Sequence, residues 1–235
     1  MSSAWPTRLA SQYLDNLPEV DAAFLLPHPG DAEVLCGGTI RKLVEQGKQV
    51  AILDLTGGEA GTRSHGELRL EQGEQAAALL GVAWRGSVRL PDARVEDTIH
   101  SRMSITGEIK RLKPKFLIGI DGEHPHPDAR PSMQLVENGA YLAGLPRLDD
   151  YLEPHRPARI AFACGDSTTK PSFIVDISAQ FEAKIEAIRK HKALFEKEAE
   201  FLALVASRAR VFGAMVGVEY GEPFFERQPL LLDLF

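Results

Sequence analysis

Apolar runs alternate with amphipathic stretches along most of the chain. Strands are predicted at 22–26, 49–55, 88–90, 116–120, 160–163 and 173–176. Helices are predicted at 32–46, 67–80, 101–112, 134–143 and 178–206, the last of them broken near Phe195. Strands that alternate with helices predict an α/β, Rossmann-like fold, with a mostly parallel sheet flanked by helices. No internal repeat or low-complexity tract interrupts the pattern, so we predict a single domain over residues 1–235.

Parallel sheets of this kind bind ligands beyond the C-terminal ends of their strands. Two loops of this sequence fall there, at 27–31 and at 121–130. In the first loop, His28 and Asp31 lie three residues apart at a strand-to-helix junction. Imidazole and carboxylate groups are both good zinc ligands, and a tight turn can direct them to one point. An alternative is that Asp31 caps the helix that follows.

The second loop carries two histidines and two carboxylates within six residues, at positions 123–128. A histidine with a nearby carboxylate can act as an oriented general acid or base. The alternative is a polar surface loop that its prolines stiffen. Because both loops are expected at the same edge of the sheet, together they favour a functional site.

Other polar residues give weaker signals. Arg69, on the second predicted helix, can bind an anionic substrate group, or it can pair with Glu67 or Asp92. The glycines of the preceding loop form neither a GxGxxG nor a Walker A pattern, so no motif supports nucleotide binding. We interpret His191 as a structural residue.

Composition narrows the class of protein. The 235 residues carry a net charge of −6, which argues against a general nucleic-acid binder. No apolar run approaches the roughly 20 residues that span a bilayer, so we expect no membrane partner. The two cysteines do not form a CxxC pair, and the first residues do not resemble a signal peptide. We therefore predict a cytoplasmic protein.

Several motifs together resemble the LmbE-like family of zinc-dependent amino-sugar N-deacetylases. That family includes the GlcNAc-phosphatidylinositol de-N-acetylases, and the closest resemblance is to the N-acetylglucosaminyl malate deacetylases of bacillithiol synthesis. The resemblance covers nearly the whole chain. It is carried by the stretches PHPGDAE at 27–33, CGGTI at 36–40, LPD at 90–92, HPD at 126–128 and GVEYGEPF at 217–224.

The resemblance implies a role for each matching position. His28 and Asp31 correspond to two zinc ligands, His126 and Asp128 to the catalytic pair beside the reaction, and Arg69 to a substrate-binding arginine. It further implies a zinc cofactor, an amino-sugar conjugate as the small-molecule substrate, and a homo-oligomer, either a trimer or a hexamer.

Three positions depart from the family pattern. Gly30 stands where the family has the aspartate that acts as general base, and Ala129 stands where it has the histidine that is the third zinc ligand. Pro125 replaces a substrate-binding arginine. Catalytic zinc sites usually have three protein ligands, so zinc is expected to be weakly bound or absent and the protein to be inactive or strongly impaired. The alternative is an active deacetylase in which His124 or His126 substitutes as the third ligand.

Overall fold

The computed structural model describes residues 19–61, 66–148, 152–165, 169–194 and 197–229. Within these ranges, the strands form one sheet in the order β3-β2-β1-β4-β5-β7-β6. All of them run parallel except β7, which is antiparallel to both β5 and β6. The strands are β1 (Ala22–Leu26), β2 (Val50–Thr56), β3 (Trp84–Leu90), β4 (Phe116–Ile120), β5 (Arg159–Ala163), β6 (Phe173–Asp176) and β7 (Gly221–Phe225).

Helices cover both faces of this sheet, which confirms the predicted fold class. They are α1 (Asp31–Glu45), α2 (Gly66–Leu80), α3 (Ile99–Leu112), α4 (Ala129–Ala143), α5 (Phe181–Ile188) and α6 (Glu198–Val216), with short 3₁₀ helices at Ser178–Gln180 and Lys192–Leu194. No helix in the described part of the chain is long and apolar enough to cross a membrane.

Alternation along the central strands builds two hydrophobic cores. On β1, Ala23 and Leu25 join the core under α3 and α4, whereas Phe24 and Leu26 join the core under α1 and α2. Successive side chains of a strand point to opposite faces, so a strand covered on both faces reads as a continuous apolar run. A third, smaller cluster joins α5 to α6.

The elements differ from the predicted ones where polar residues or proline hide the pattern. Strand β3 begins at Trp84, whereas the prediction began it at Val88. The prediction was too short because β3 is an edge strand whose side chains are mostly only half-buried, so its sequence lacks an apolar run. Helix α4 begins at Ala129 rather than Gln134, since a proline is tolerated in a first helical turn and Pro131 lies there. The predicted helix 178–206 is divided into α5 and α6 with two 3₁₀ helices, and α6 extends to Val216. Strand β7 was not predicted, and it contains Pro223.

A buried ion pair ties α1, α5 and β7 together. Lys184 Nζ lies 2.5 Å from Glu222 Oε1, and both side chains are almost completely buried. The same carboxylate accepts the backbone N–H groups of Gly38 and Thr39 at 3.0 and 2.7 Å. A Cβ on Gly38 would come within 2.6 Å of Ile177, so the glycine permits this close approach. The Gly37-Gly38 stretch thus has a packing role.

We expect Lys184→Met to lower the free energy of unfolding by about 3–5 kcal/mol, because it leaves the Glu222 carboxylate buried without its cation. Equilibrium urea denaturation measures the loss. Lys197→Met is the matched control, since Lys197 pairs with Glu200 on the surface at 3.1 Å and its removal should change stability little. Equal effects of the two substitutions would contradict the structural role of the buried pair.

Candidate functional site

The two predicted loops meet at one edge of the sheet. Strands β1 and β4 are parallel neighbours, so the loops after Leu26 and Ile120 leave the sheet at the same end. His28 lies two residues beyond β1, and Asp128 lies directly before α4. The Nε2 atom of His28 is 3.0 Å from Asp128 Oδ2, across 100 residues of sequence. The sheet therefore brings the two halves of the predicted site into contact.

The imidazole of His28 is surrounded by three carboxylates. Its Nδ1 lies 3.0 Å from Asp31 Oδ2, and its Nε2 lies 3.1 Å from Asp92 Oδ1 as well as 3.0 Å from Asp128 Oδ2. The ring is buried, and so are Asp92 and Asp128. His28 is thus the centre of the site and contacts side chains that follow three different strands.

These contacts change the protonation of both members of the first loop. Burial disfavours the charged imidazole, but Asp31 and then Asp128 and Asp92 outweigh burial and raise the pKa of His28 to about 9. Burial likewise raises the pKa of Asp31, but the charge and hydrogen bonds of His28, together with the charge of Arg69, hold that pKa below its ordinary value. Without a bound cation, the site therefore holds a protonated imidazole among carboxylates at neutral pH.

Asp92 is the member of the site that the sequence analysis missed. The sequence gives it only as a possible ion-pair partner of Arg69 and as part of the LPD motif at 90–92, with no role in the site. A signal was present, since Asp92 follows β3, and β3 ends at the same edge of the sheet as β1. One of its carboxylate oxygens, Oδ2, accepts the backbone N–H of Ala60 at 2.8 Å, and its own N–H donates to Glu59 at 2.9 Å. Asp92 therefore joins the glycine-rich loop to His28.

The carboxylate of Asp128 is fixed by backbone donors. Ala93 donates its N–H to Oδ2 at 2.8 Å, and Val95 donates its N–H to Oδ1 at 3.0 Å. The side chain is 1% exposed. Such bonds hold a carboxylate in one orientation before any ligand arrives.

His126 lies at the entrance of the site. Its side chain is 40% exposed, and its ring meets the ring of His28 edge to face, with centroids 4.5 Å apart. Its Nδ1 accepts the backbone N–H of Asp128 at 3.2 Å and lies 3.9 Å from Asp128 Oδ2. The predicted catalytic pair is therefore adjacent, with the imidazole partly in solvent and the carboxylate buried.

Asp31 does not cap helix α1, so the capping alternative is wrong. The N-cap is Gly30, whose position has no side-chain capping bond, and Asp31 is the first helical residue. Its carboxylate turns back instead to His28, where it accepts the backbone N–H at 3.0 Å and lies against Nδ1 of the ring. The acidic group still lies at the positive end of the helix dipole.

Gly30 leaves no room for a side chain. Its φ of +108° lies in the region that side-chain-bearing residues rarely adopt. A Cβ placed on it would overlap the Cδ1 methyl of Leu194 and would lie 3.6 Å from His191 Nδ1. A methyl group of Leu194 thus occupies the space where a side chain at residue 30 would begin.

Ala129 is fully buried at the first position of α4. It packs in the hydrophobic core with residues of α1 and β1, and its N–H donates to the carbonyl of His126 at 3.0 Å. A methyl group offers no lone pair, so position 129 contributes nothing to metal binding.

Arg69 is also buried, but it pairs with neither predicted partner. Its guanidinium donates to the backbone carbonyls of Gly58 and Pro29 at 2.8 and 3.0 Å. Glu67 pairs instead with Arg89 on the surface. The Nε atom of Arg69 has no hydrogen-bond partner among the described residues. Arg69 therefore links the glycine-rich loop at Gly58 to the first loop at Pro29. Its substrate-binding role stays a prediction.

A buried charge network lies behind the first loop. Arg85 bonds both oxygens of Asp54 at 2.8 and 2.9 Å and contacts Glu33 at 2.5 Å. Despite burial, Arg85 and His191 lower the pKa of Glu33 to about 2. His191 Nε2 lies 3.2 Å from Glu33, while His191 Nδ1 has no partner in the described chain. This location agrees with the structural role predicted for His191, next to the turn at Gly30.

A cleft of about 430 Å³ opens beside His126. That volume is within the range of small-molecule sites. It is lined by the second loop and the first turn of α4: Gly122, Glu123, His124, Pro125, His126, Pro127, Arg130, Pro131 and Gln134.

Comparison with known proteins identifies the family. A profile of the GlcNAc-PI de-N-acetylases (PIG-L) matches residues 23–138. The diacetylchitobiose deacetylase of Thermococcus kodakarensis is 32% identical, over 83% of this chain and 79% of its own length. The chain belongs to the PIG-L family.

Two solved structures are also similar to this chain. A conserved protein of Thermus thermophilus superposes with a TM-score of 0.87 at 30% identity, covering 92% of this chain and 98% of its own. The N,N'-diacetylchitobiose deacetylase of Pyrococcus horikoshii superposes with a TM-score of 0.79 at 29% identity, covering 88% and 83%.

The residues of this PIG-L chain do not fit the three-ligand zinc set that the resemblance implies. His28 and Asp31 lie together, but the third position is the buried methyl group of Ala129. A different group of donors does converge, since His28, His126 and Asp128 each place one ligand atom within 4.8 Å of the others.

We expect Gly30→Ala to destabilise the protein by about 3 kcal/mol, through backbone strain and overlap with Leu194. Gly47→Ala is the matched control, because Gly47 also has a positive φ but has no atom near its Cβ position. That substitution should cost about 1 kcal/mol. Leu194→Ala should recover part of the loss in the Gly30→Ala protein. Chemical denaturation of the wild type, Gly30→Ala, Leu194→Ala and the double variant measures this coupling. Equal losses in Gly30→Ala and Gly47→Ala would contradict the close packing.

Proposed function

We propose that this protein binds an N-acetylated amino sugar in the cleft at the sheet edge and hydrolyses its acetamide group very slowly or not at all. Membership of the PIG-L family supports the ligand class, as do the diacetylchitobiose deacetylases among its relatives. The impairment is supported by the residues at positions 30 and 129.

The observation that carries the proposal is the packing at residue 30. Amide hydrolysis needs a group that takes a proton from the attacking water, and the resemblance assigns that function to an aspartate at this position. Here Gly30 has no side chain, and Leu194 fills the space beside it. A general base contributes roughly 10²–10⁴-fold to a rate, so its loss alone slows the reaction severely.

Other parts of the site are suited to binding. His126 is half-exposed at the mouth of the cleft, where its imidazole can donate to a carbonyl or hydroxyl oxygen of a sugar. Asp128 stays fixed behind it by two backbone N–H groups. These residues can orient an acetamide and exchange a proton with it. Neither occupies the position of the missing general base at residue 30.

The identity of the sugar conjugate is a finer proposal. The resemblance pointed to N-acetylglucosaminyl malate, and this prediction stays open, although Pro125 stands where the malate-binding arginine is expected. A chitobiose-like ligand is supported instead by the two diacetylchitobiose deacetylases. The cytoplasmic location and the homo-oligomeric state likewise stay predictions.

The test combines binding with turnover. Ligand-observed NMR with N-acetylglucosamine and diacetylchitobiose should show saturable binding, and an acetate assay should show no release above a heat-inactivated control. The triple substitution Gly30→Asp, Ala129→His and Leu194→Ala should produce zinc-dependent acetate release, because it supplies the missing base and ligand and clears the space for the base. Leu194→Ala alone is the control and should stay inactive. Wild-type turnover equal to that of the triple variant would disprove the impairment.

A second candidate function is an active deacetylase. One observation favours it, namely that Asp92 and Asp128 both face Nε2 of His28 and offer a proton acceptor other than residue 30. In that case, wild-type protein should release acetate, and Asp92→Asn should reduce the release by roughly 10²–10⁴-fold. The absence of any wild-type release excludes this candidate.

A further inference from the structure

The two ring nitrogens of His28 face two different sets of groups. On the Nδ1 side lies Asp31. The third ligand that the resemblance implies is missing, because its position is the buried methyl group of Ala129. On the Nε2 side lie the carboxylates of Asp128 and Asp92. The ring of His126 stands beside them. The donors needed for a metal are therefore present on the Nε2 side and incomplete on the Nδ1 side.

The spacing of the donors fits direct ligation. Zinc bonds of about 2.0–2.2 Å in a tetrahedral site set neighbouring ligand atoms about 3.3–3.6 Å apart. His28 Nε2 lies 3.0 Å from Asp128 Oδ2 and 3.1 Å from Asp92 Oδ1. The third donor, from His126, lies within 4.8 Å of both His28 and Asp128. His28 and Asp128 need shifts of only a few tenths of an ångström, whereas the partly exposed His126 ring must turn to bring its nitrogen closer.

We propose that this protein has a rearranged site for a divalent transition metal such as zinc, with His28 Nε2, Asp128 and His126 as ligands. Asp31, which the resemblance makes a ligand, becomes the outer carboxylate that holds Nδ1–H of His28. Asp92 adjoins the same site as a third carboxylate. Two imidazoles and a carboxylate form a donor set that suits zinc and its neighbours better than calcium or magnesium.

The surroundings are arranged as an outer shell for this set. A metal-bound histidine almost always donates its second N–H to a carboxylate or carbonyl oxygen, and Asp31 Oδ2 lies 3.0 Å from Nδ1. The ligating oxygen of Asp128 accepts one backbone N–H, from Ala93, which leaves its second lone pair for a metal. The other oxygen is held by Val95. His28 and Asp128 are thus oriented without any contribution from a metal.

The proposed ligand set predicts which substitution, at Asp31 or at His126, lowers the metal affinity more. If Asp31 is a ligand, its loss must damage metal binding more than the loss of His126. If His126 and Asp128 are the ligands, the order reverses. Removal of outer-shell partners typically costs about 10–100-fold in affinity, whereas removal of one of three ligands should cost more.

The experiment is a competition titration of zinc against a chromophoric chelator, on the full-length protein without any sugar, so that it stands apart from the proposed sugar binding. Wild-type protein should bind one zinc per chain. His126→Ala should lower the affinity more than about 100-fold, and Asp31→Asn by about 10–100-fold. His100→Ala, an exposed histidine distant in sequence from both loops, is the matched control and should leave the affinity unchanged.

Two further measurements test whether a lower affinity reflects a lost ligand or a lost fold. Thermal melts without metal should match for wild type and His126→Ala, since His126 is partly exposed, and this separates a lost ligand from a lost fold. The visible spectrum of Co²⁺-loaded protein should change on His126→Ala and persist on Asp31→Asn. The proposal is overturned if wild-type protein binds no zinc, or if Asp31→Asn abolishes binding while His126→Ala does not. It is also overturned if His124→Ala lowers the zinc affinity more than about 100-fold while His126→Ala leaves it unchanged.

Discussion

The contact of one imidazole with three carboxylates, of which Asp92 and Asp128 are buried, holds the candidate site together. His28 follows β1, Asp92 follows β3, and Asp128 ends the loop after β4, so their meeting depends on the parallel order of the sheet. Buried carboxylates are costly unless a positive charge or hydrogen bonds compensate them. A proton on His28, or a metal at the same place, supplies that charge. The negative charge of the carboxylates therefore holds the loops to His28 and favours a cation, either a proton or a metal, between them.

The backbone around Gly30 depends on that arrangement. The turn after β1 must place His28 inward and begin α1 at Asp31, and it does so with a positive φ at Gly30, directly before the helix. A glycine adopts this conformation without strain, and its missing side chain lets Leu194 approach the turn. The residue that removes the expected general base is thus also the one that permits the local packing. Restoring an aspartate there requires a change in the 3₁₀ helix as well as in the turn.

Much of the architecture could be predicted from the sequence because β1, β2 and β4 are covered on both faces and appear as mostly apolar runs. The half-exposed edge strand β3 and the proline-containing β7 give no such signal, and the sequence analysis shortened the one and missed the other. His28, Asp31, His126 and Asp128 were found because they follow strands in compact motifs. The contact of Asp92 with His28 was missed, because the LPD motif at 90–92 follows a weakly predicted strand and assigns the carboxylate no partner at the site. Its significance depends on a pairing between strands, and only the three-dimensional structure supplies that distance.

The two departures from the family pattern act on one water molecule, and this decides how they combine. A third protein ligand would help to hold the metal that lowers the pKa of that water, and a base at residue 30 would accept its proton, so each group would depend on the other. Restoring one alone should therefore return little activity, and the two effects do not multiply as independent factors. A metal held on the Nε2 side of His28 would lie on the opposite edge of the imidazole from Asp31, next to Asp92 and Asp128. Such a metal would be held by His28, Asp128 and His126 and would lack the base that the family has at residue 30, so occupancy by a metal alone would not imply the family's reaction.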